Sequence, residues 1–229
     1  MALDFMRSRS AALRLVIYDC DGVLVDSEPV ANRIVAEELT ALGWSMTAEE
    51  SDQHFLGLSN IDMQPLIERH LGRQLPNSWQ QELAAKIINA LTEGVGPIPG
   101  AIDALHATTA LNLPWRVASN STHEEMHVKF RCLGVLDLVA GRIHSYRDVA
   151  HGKPAPDLFL AAAAAQGIPP EHCVVIEDSV PGATAAAAAG MPCLGYAPHH
   201  DGSCLRAVGA MPFHSMFDLP ALLAAGKAA

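Results

Sequence analysis

A chain of 229 residues, half of them hydrophobic, can bury a substantial core, either as one domain or as a domain with a smaller companion, and this excludes a disordered protein. Acidic residues outnumber basic ones by 25 to 15, which argues against a nucleic-acid-binding or anionic-membrane surface and requires any bound anion to meet local positive charge. The cysteines at 20, 132, 173, 193 and 204 are odd in number and form no CxxC pair, the stretch up to Arg14 lacks a signal-length apolar core, and no run approaches the roughly 20 apolar residues of a membrane span. A cytoplasmic protein without disulfide framework or zinc site is therefore expected.

The first apolar run, Leu13 to Tyr18, leads into Asp19-Cys20-Asp21-Gly22-Val23-Leu24-Val25-Asp26. Two carboxylates leaving one strand end at a tight turn repel unless a cation relieves them, and a hard divalent ion such as magnesium is the natural counterion. A carboxylate can also attack phosphorus if charge on the phosphoryl oxygens is neutralised and the leaving oxygen is protonated. Asp19 suits the attack and Asp21 the proton, although an aspartate pair at a strand end serves equally well as a turn feature. Cys20 is expected to pack as a small hydrophobe.

From Pro29 to about Gly96 the pattern changes to amphipathic helices, among them Ala31 to Leu42 and Trp79 to Leu91, with no clear strand. Gly94-Val95-Gly96-Pro97 then punctuates a return to the sheet. The second buried run, Trp115 to Ala118, precedes Ser119-Asn120. The residues Ser121-Thr122-His123-Glu124 that follow have capping-box spacing, so a helix N-terminus would present free N–H groups to a phosphate there. Ser-Asn alone is also simply a good helix cap.

Ala140 to His144 is a weaker strand candidate. Gly152-Lys153-Pro154-Ala155-Pro156-Asp157 holds one lysine in a stiff loop, able to aim an ammonium at a phosphate or to be an ordinary surface turn. Cys173 to Ile176 is the third strong strand and ends in Glu177-Asp178-Ser179, which adds two carboxylates suited to metal ligation. Met191 to Tyr196 completes five candidate strands. The alanine runs 161–165 and 185–189 read as close-packed crossover helices, with Pro181 in a first turn and Gly190 as a C-terminal cap. His199-His200-Asp201 and the His123/His127 pair read as solvated surface.

Buried strands alternating with helices define an α/β protein with a parallel, doubly wound sheet, whose ligands gather beyond the carboxyl ends of the strands. Asp19, Ser119, Lys153, Glu177 and Asp178 are all expected near that edge.

In this order, Asp19-x-Asp21-Gly22, Ser119-Asn120, Lys153-Pro154-x-Pro156-Asp157 and Glu177-Asp178-Ser179-x-x-Gly182 resemble the four motifs of the haloacid dehalogenase (HAD) superfamily, in its phosphatase and phosphomutase branch, over residues 13 to 200. The resemblance implies a Rossmann-like core, residues 11–28 and 97–229, carrying an all-helical cap, residues 29–96, with Asp26-Ser27-Glu28 at the hinge. It implies that Asp19 carries an aspartyl-phosphate and that Asp21 is the general acid and base. It further implies that Ser119, Asn120 and Lys153 hold the phosphoryl group, and that Asp19, the Asp21 carbonyl, Glu177 and Asp178 hold magnesium (Mg2+).

Mutase-type relatives place a histidine where this chain has Ala31, and their cap loop carries an arginine where Gly57-Leu58-Ser59-Asn60 ends in Asn60. Both departures favour a phosphatase acting on a small phosphorylated sugar or sugar acid over a β-phosphoglucomutase-like enzyme. A phosphoacceptor receiver module that signals without turnover is the alternative of another class, disfavoured by the helical insertion and by Asp21.

Overall fold

The structure, a computed structural model, describes residues 1–8, 11–55, 58 and 60–227. In chain order the described strands are β1 (Leu15–Tyr18), β2 (Val25–Asp26), β3 (Gly96–Pro97), β4 (Trp115–Ser119), β5 (Ile143–Ser145), β6 (Cys173–Glu177), β7 (Cys193–Tyr196) and β8 (Met211–Phe213). The described helices are α1 (Ala2–Arg7), α2 (Glu28–Leu42), α3 (Ala48–Phe55), α4 (Asn60–Leu71), α5 (Trp79–Thr92), α6 (Ala101–Ala110), α7 (His123–Cys132), α8 (Leu136–Val139), α9 (Asp157–Ala164), α10 (Val180–Ala188), α11 (Ser203–Ala207) and α12 (Leu219–Lys227).

Six strands form one parallel sheet in the order β5-β4-β1-β6-β7-β8, with Val16 of β1 in register with Trp115 on one side and Val174 on the other. Every residue of β1 and of β6 is buried, as a central strand covered on both faces requires. Period-two alternation divides them. Val16, Tyr18, Val174 and Ile176 pack with Leu105, Phe130 and Leu223 on one face, whereas Leu15, Ile17 and Val175 pack with Phe159, Ala162 and Ala186 on the other. The alanine-rich helices α9 and α10 lie on this second face, where small side chains allow close approach, and Gly190 (φ 72°) follows α10 in the left-handed conformation of a helix cap.

The sequence reading falls short at one edge. The strand β8 is three residues long and contains Pro212, so it gives no apolar run; at the outer edge of the sheet a proline can be tolerated. The expected strands otherwise lie within a few residues of those observed.

Helices α2 to α5 enclose a separate apolar cluster built from Leu39, Phe55, Ile67, Trp79, Leu83 and Leu91 among others. The chain leaves the sheet layer through β2 and returns through β3. These two form an antiparallel pair, Val25 with Pro97 and Asp26 with Gly96, missed in the sequence because each is only two residues long. Of the cap loop that carries the mutase comparison, Gly57 and Ser59 lie outside the described residues.

Candidate active site

The carboxyl ends of β1, β4 and β6 face the helices α2 to α5 across a cavity of about 320 Å³. Asp19, Asp21, Ser119, Asn120, Lys153, Glu177 and Asp178 all line it. The six-stranded order puts β1 between β4 and β6, so that residues separated by more than a hundred positions meet at one edge.

Asp19 follows β1 directly and is buried. Lys153 Nζ lies 2.7 Å from Asp19 Oδ1 and 2.7 Å from Glu177 Oε1, with its side chain only 4% exposed. Burial alone would drive this ammonium toward its neutral form, but the two carboxylates reverse that and raise its pKa. The other oxygen of Glu177 accepts from the backbone N–H groups of Asp178 and Ser179, at 2.9 and 2.8 Å, and from the Ser179 hydroxyl at 2.8 Å. Ser179 also caps α10 through the Gly182 N–H. The chain approaches so closely there that a Cβ on Gly182 would lie 1.7 Å from Glu177 Oε1.

Asp19, Glu177 and Asp178 can each offer a ligand oxygen, all within 4.8 Å of one another. Burial, reinforced by the charges of Glu177 and Asp21 and opposed by Lys153, pushes Asp19 up to about 8. Burial and the surrounding carboxylates likewise hold Asp178 well above the usual range. Oxygen ligands this crowded, with one ammonium among them, fit a hard divalent cation such as magnesium.

Asn120 links two of the motifs. Its Oδ1 accepts from the Lys153 N–H at 2.9 Å and its Nδ2 donates to the Lys153 carbonyl at 3.0 Å, so the amide clamps the lysine loop to the end of β4. The capping box of α7 is shifted one residue from the sequence expectation. Thr122, not Ser121, is the N-cap, paired reciprocally with Glu125, not Glu124, because the Ser121 hydroxyl is engaged elsewhere. His123 meets Asp148 at the surface at 2.9 Å, and Cys20 is packed in the core as expected.

The Ser121 hydroxyl donates to Asp21 Oδ2 at 2.8 Å, and Ser119 donates to the same oxygen at 3.3 Å. Ser27, at the start of α2, donates to Oδ1. Lys129 Nζ lies 2.5 Å from Oδ1. Burial opposes ionisation of Asp21, but Lys129 and these donors outweigh it and hold the carboxyl at about 2.

Sequence reading missed Lys129, Ser121 and the contact made by Ser27. A signal for Lys129 was present: on α7 it shares the buried face of Met126 and Phe130, and a lysine on the apolar stripe of a helix needs a buried partner. No local pattern marks that partner as Asp21, 108 positions away.

A doubly wound sheet with a buried aspartate paired to a buried lysine, and a carboxylate cluster at its strand ends, fits a phosphoryl-transfer type of site. Residues 13–190 match the model of the haloacid dehalogenase-like hydrolases, and the chain belongs to that family. It is a hydrolytic enzyme of that family with curated phosphatases among its relatives, which removes the receiver alternative.

The chain is 29% identical over 180 residues to 6-phosphogluconate phosphatase of Escherichia coli, covering 78% of this chain and 80% of that one. It is 32% identical over 182 residues to hexitol phosphatase B of the same organism, covering 76% and 79%. A HAD family hydrolase from Deinococcus radiodurans, crystallised with bound phosphate and sodium, superposes with a TM-score of 0.76 at 33% identity, covering 95% of this chain and 98% of that one.

Proposed function

We propose that the protein is a magnesium-dependent phosphatase of small phosphorylated metabolites, sugar phosphates in particular, working through an aspartyl-phosphate on Asp19. The observation that carries this reading is the convergence of Asp19, Asp21, Ser119, Lys153 and Asp178 on one cavity between the sheet edge and the helices 28–92. The relatives named for phosphatase activity support the substrate class.

In this reading an Asp19 oxygen attacks the phosphorus, the bond from phosphorus to the alcohol oxygen breaks, and Asp21 delivers a proton to that oxygen. Water then attacks the phosphorus of the aspartyl-phosphate, Asp21 accepts its proton, and free phosphate and the Asp19 carboxylate are restored. The contacts of Asp21 with Lys129 and Ser121 describe its resting position, in which it is a carboxylate; proton delivery requires it to leave them and to be protonated.

Lys153 offsets charge on Asp19 and on the phosphoryl oxygens, while Ser119 and the Asn120 backbone grip the phosphoryl group. Asp19, the Asp21 carbonyl and Asp178, with Glu177 beside them, would hold magnesium, which when bound neutralises phosphoryl charge. We assign residues 29–96 to a cap that opens to admit substrate and closes to exclude bulk water, with its hinge at the β2–β3 pair.

Hydrolysis is favoured over a mutase reaction because Ala31, at the position where mutase relatives carry a histidine, lines the cavity and supplies no imidazole. The test is phosphate release from sugar phosphates and from an aryl phosphate, with magnesium and with a chelator, beside Asp19→Asn. Release that depends on magnesium and is abolished by the substitution is expected; equal rates for parent and variant would overturn the reading. With β-glucose 1-phosphate, free phosphate is expected, and glucose 6-phosphate as main product would restore the mutase alternative.

A further inference from the structure

The cavity has two walls of different chemistry. On the sheet side lie two buried ammonium groups, and each is already committed to carboxylates: Lys153 to Asp19 and Glu177, and Lys129 to Asp21. On the cap side the polar lining consists of Glu28, Asn32, Asp52, Gln80 and Gln81. No lysine, arginine or histidine of the cap lines the cavity among the described residues, and the sequence from Phe55 to Ile61 contains none either. The cap's ion-paired cations point elsewhere, with Arg33 against Glu37 and Lys86 against Glu38.

Asn32, Asp52 and Gln80 are held in place. Asn32 Nδ2 donates to Asp52 Oδ1 at 3.0 Å, and Ser51 donates to Asn32 Oδ1 at 3.1 Å, which fixes the amide across α2 and α3. Gln80 donates to Gln64 at 2.6 Å, and Gln64 donates to Glu68 at 2.7 Å. Gln80 is thereby left with a free acceptor, and Gln81 makes no side-chain hydrogen bond, among the described residues. Fixed amides and carboxylates that face a cavity match hydroxyl groups, which both donate and accept.

An anion entering beside this wall would meet the opposite of what it needs. Burial first, then the charges of Asp52, Asp21, Asp26 and Glu177, push the Glu28 carboxyl up to about 7, and an incoming carboxylate at this wall meets the same carboxylates. Among the described residues the one cavity-lining cation not paired with a carboxylate, Arg147, lies on the sheet side against Tyr146 and not on the cap wall.

We infer that the cap wall formed by Asn32, Asp52, Gln80 and Gln81 selects a substrate that is a neutral polyol beyond its phosphoryl group and rejects a second anionic group such as a carboxylate. This rests on the phosphatase reading and sharpens it: sugar-acid phosphates, expected from the sequence alongside sugar phosphates, become disfavoured. Rejection by unpaired like charge is a form of specificity that affinity for the right substrate alone does not provide.

The test uses two substrates that differ only at one carbon, D-glucitol 6-phosphate and 6-phosphogluconate, in which a primary alcohol is replaced by a carboxylate. The parent enzyme with magnesium is expected to favour the glucitol ester by about tenfold or more in kcat/KM, as one unpaired buried polar or charged group accounts for. Asp52→Asn, which removes a charge, and Gln81→Lys, which adds one of the opposite sign at an exposed position, should each narrow that ratio severalfold, mainly through KM for 6-phosphogluconate. Equal use of both esters, a preference for 6-phosphogluconate, or ratios that neither substitution changes would overturn the inference while leaving the phosphatase reading intact. Turnover of an aryl phosphate with neither ester hydrolysed would do the same. Failure to hydrolyse any of the three would instead overturn the phosphatase reading and the inference with it.

Discussion

Lys129 Nζ lies 2.5 Å from Asp21 Oδ1 and 2.8 Å from Ser121 Oγ, with the lysine side chain 5% exposed. This contact ties α7 to the loop after β1 and makes the second aspartate of the first motif a fixed anion in the resting site. Asp21 and Asp19 thus have separate ammonium partners, Lys129 and Lys153, and removal of either leaves a buried carboxylate uncompensated.

Lys129→Met should therefore destabilise the protein by roughly 3 kcal/mol, the range for removing one partner of a buried pair. The double variant with Asp21→Asn should recover a good part of the lost stability, because the orphaned charge is gone, while remaining inactive. A thermodynamic cycle from urea denaturation checks this; additive losses would show that the pair is not coupled.

Gly182→Ala introduces a methyl group where Glu177 Oε1 and its carboxyl carbon stand at 1.7 and 1.9 Å. The carboxylate must then move away from Lys153 and from the N–H groups that hold it. The expected loss is about 1–3 kcal/mol of stability, as for overpacking a buried site, together with a severalfold weaker response of activity to magnesium. Titration of activity against magnesium is the measurement, and an unchanged half-saturation concentration would show that Glu177 does not shape the metal site.

The acidic cluster predicts a pH dependence with a definite sign. A carboxyl with its folded pKa raised keeps a proton that the unfolded chain loses from about pH 4 upward, so its contribution to stability is greatest below pH 4 and declines as pH rises toward the folded value. For Asp19 that decline extends to about pH 8. In chelator, the melting temperature should fall between pH 5.5 and 8, and Asp19→Asn should flatten the fall. Magnesium should stabilise more at pH 8 than at pH 5.5, because the metal needs ionised ligands. Asp21, held at about 2, acts in the opposite sense: its stabilisation is present above pH 4 and lost only as pH falls toward 2. Calorimetry across this range checks both.

Asn120→Ala removes both hydrogen bonds of the clamp on the Lys153 loop. About 1–3 kcal/mol of stability and a marked part of kcat should be lost, since in the proposed mechanism a lysine displaced by even an ångström no longer faces the phosphoryl group. Asn120→Ser, which can restore at most part of the clamp, should fall between the parent and Ala in phosphate-release assays.

Those groups differ in how far they are legible in a sequence. Asp19, Asp21, Ser119, Lys153 and Asp178 each stand at the end of an apolar run or in a stiff loop, where local pattern marks them, and the parallel order of the sheet brings them together. Lys129 stands in mid-helix, and its role depends on a contact made across the fold. The shift of the α7 cap from Ser121 to Thr122 has the same origin, because Ser121 is drawn to Asp21 by tertiary geometry that no capping rule contains. The strands β2 and β3 are unreadable because two residues carry no periodicity, and β8 because three residues with a central proline give no apolar run.

The pairing of Asp26 with Gly96 brings the two ends of the helical insertion side by side. For the sheet, the intervening chain is a detour that begins and ends at nearly the same point, so its contents can vary without stretching β1, which leads into Asp19, or the loop that carries Lys153. The insertion is thus a cassette with natural splice points. Grafting the segment between Asp26 and Gly96 from a relative with another preference would exchange the recognition surface while retaining one unchanged chemical apparatus beneath it.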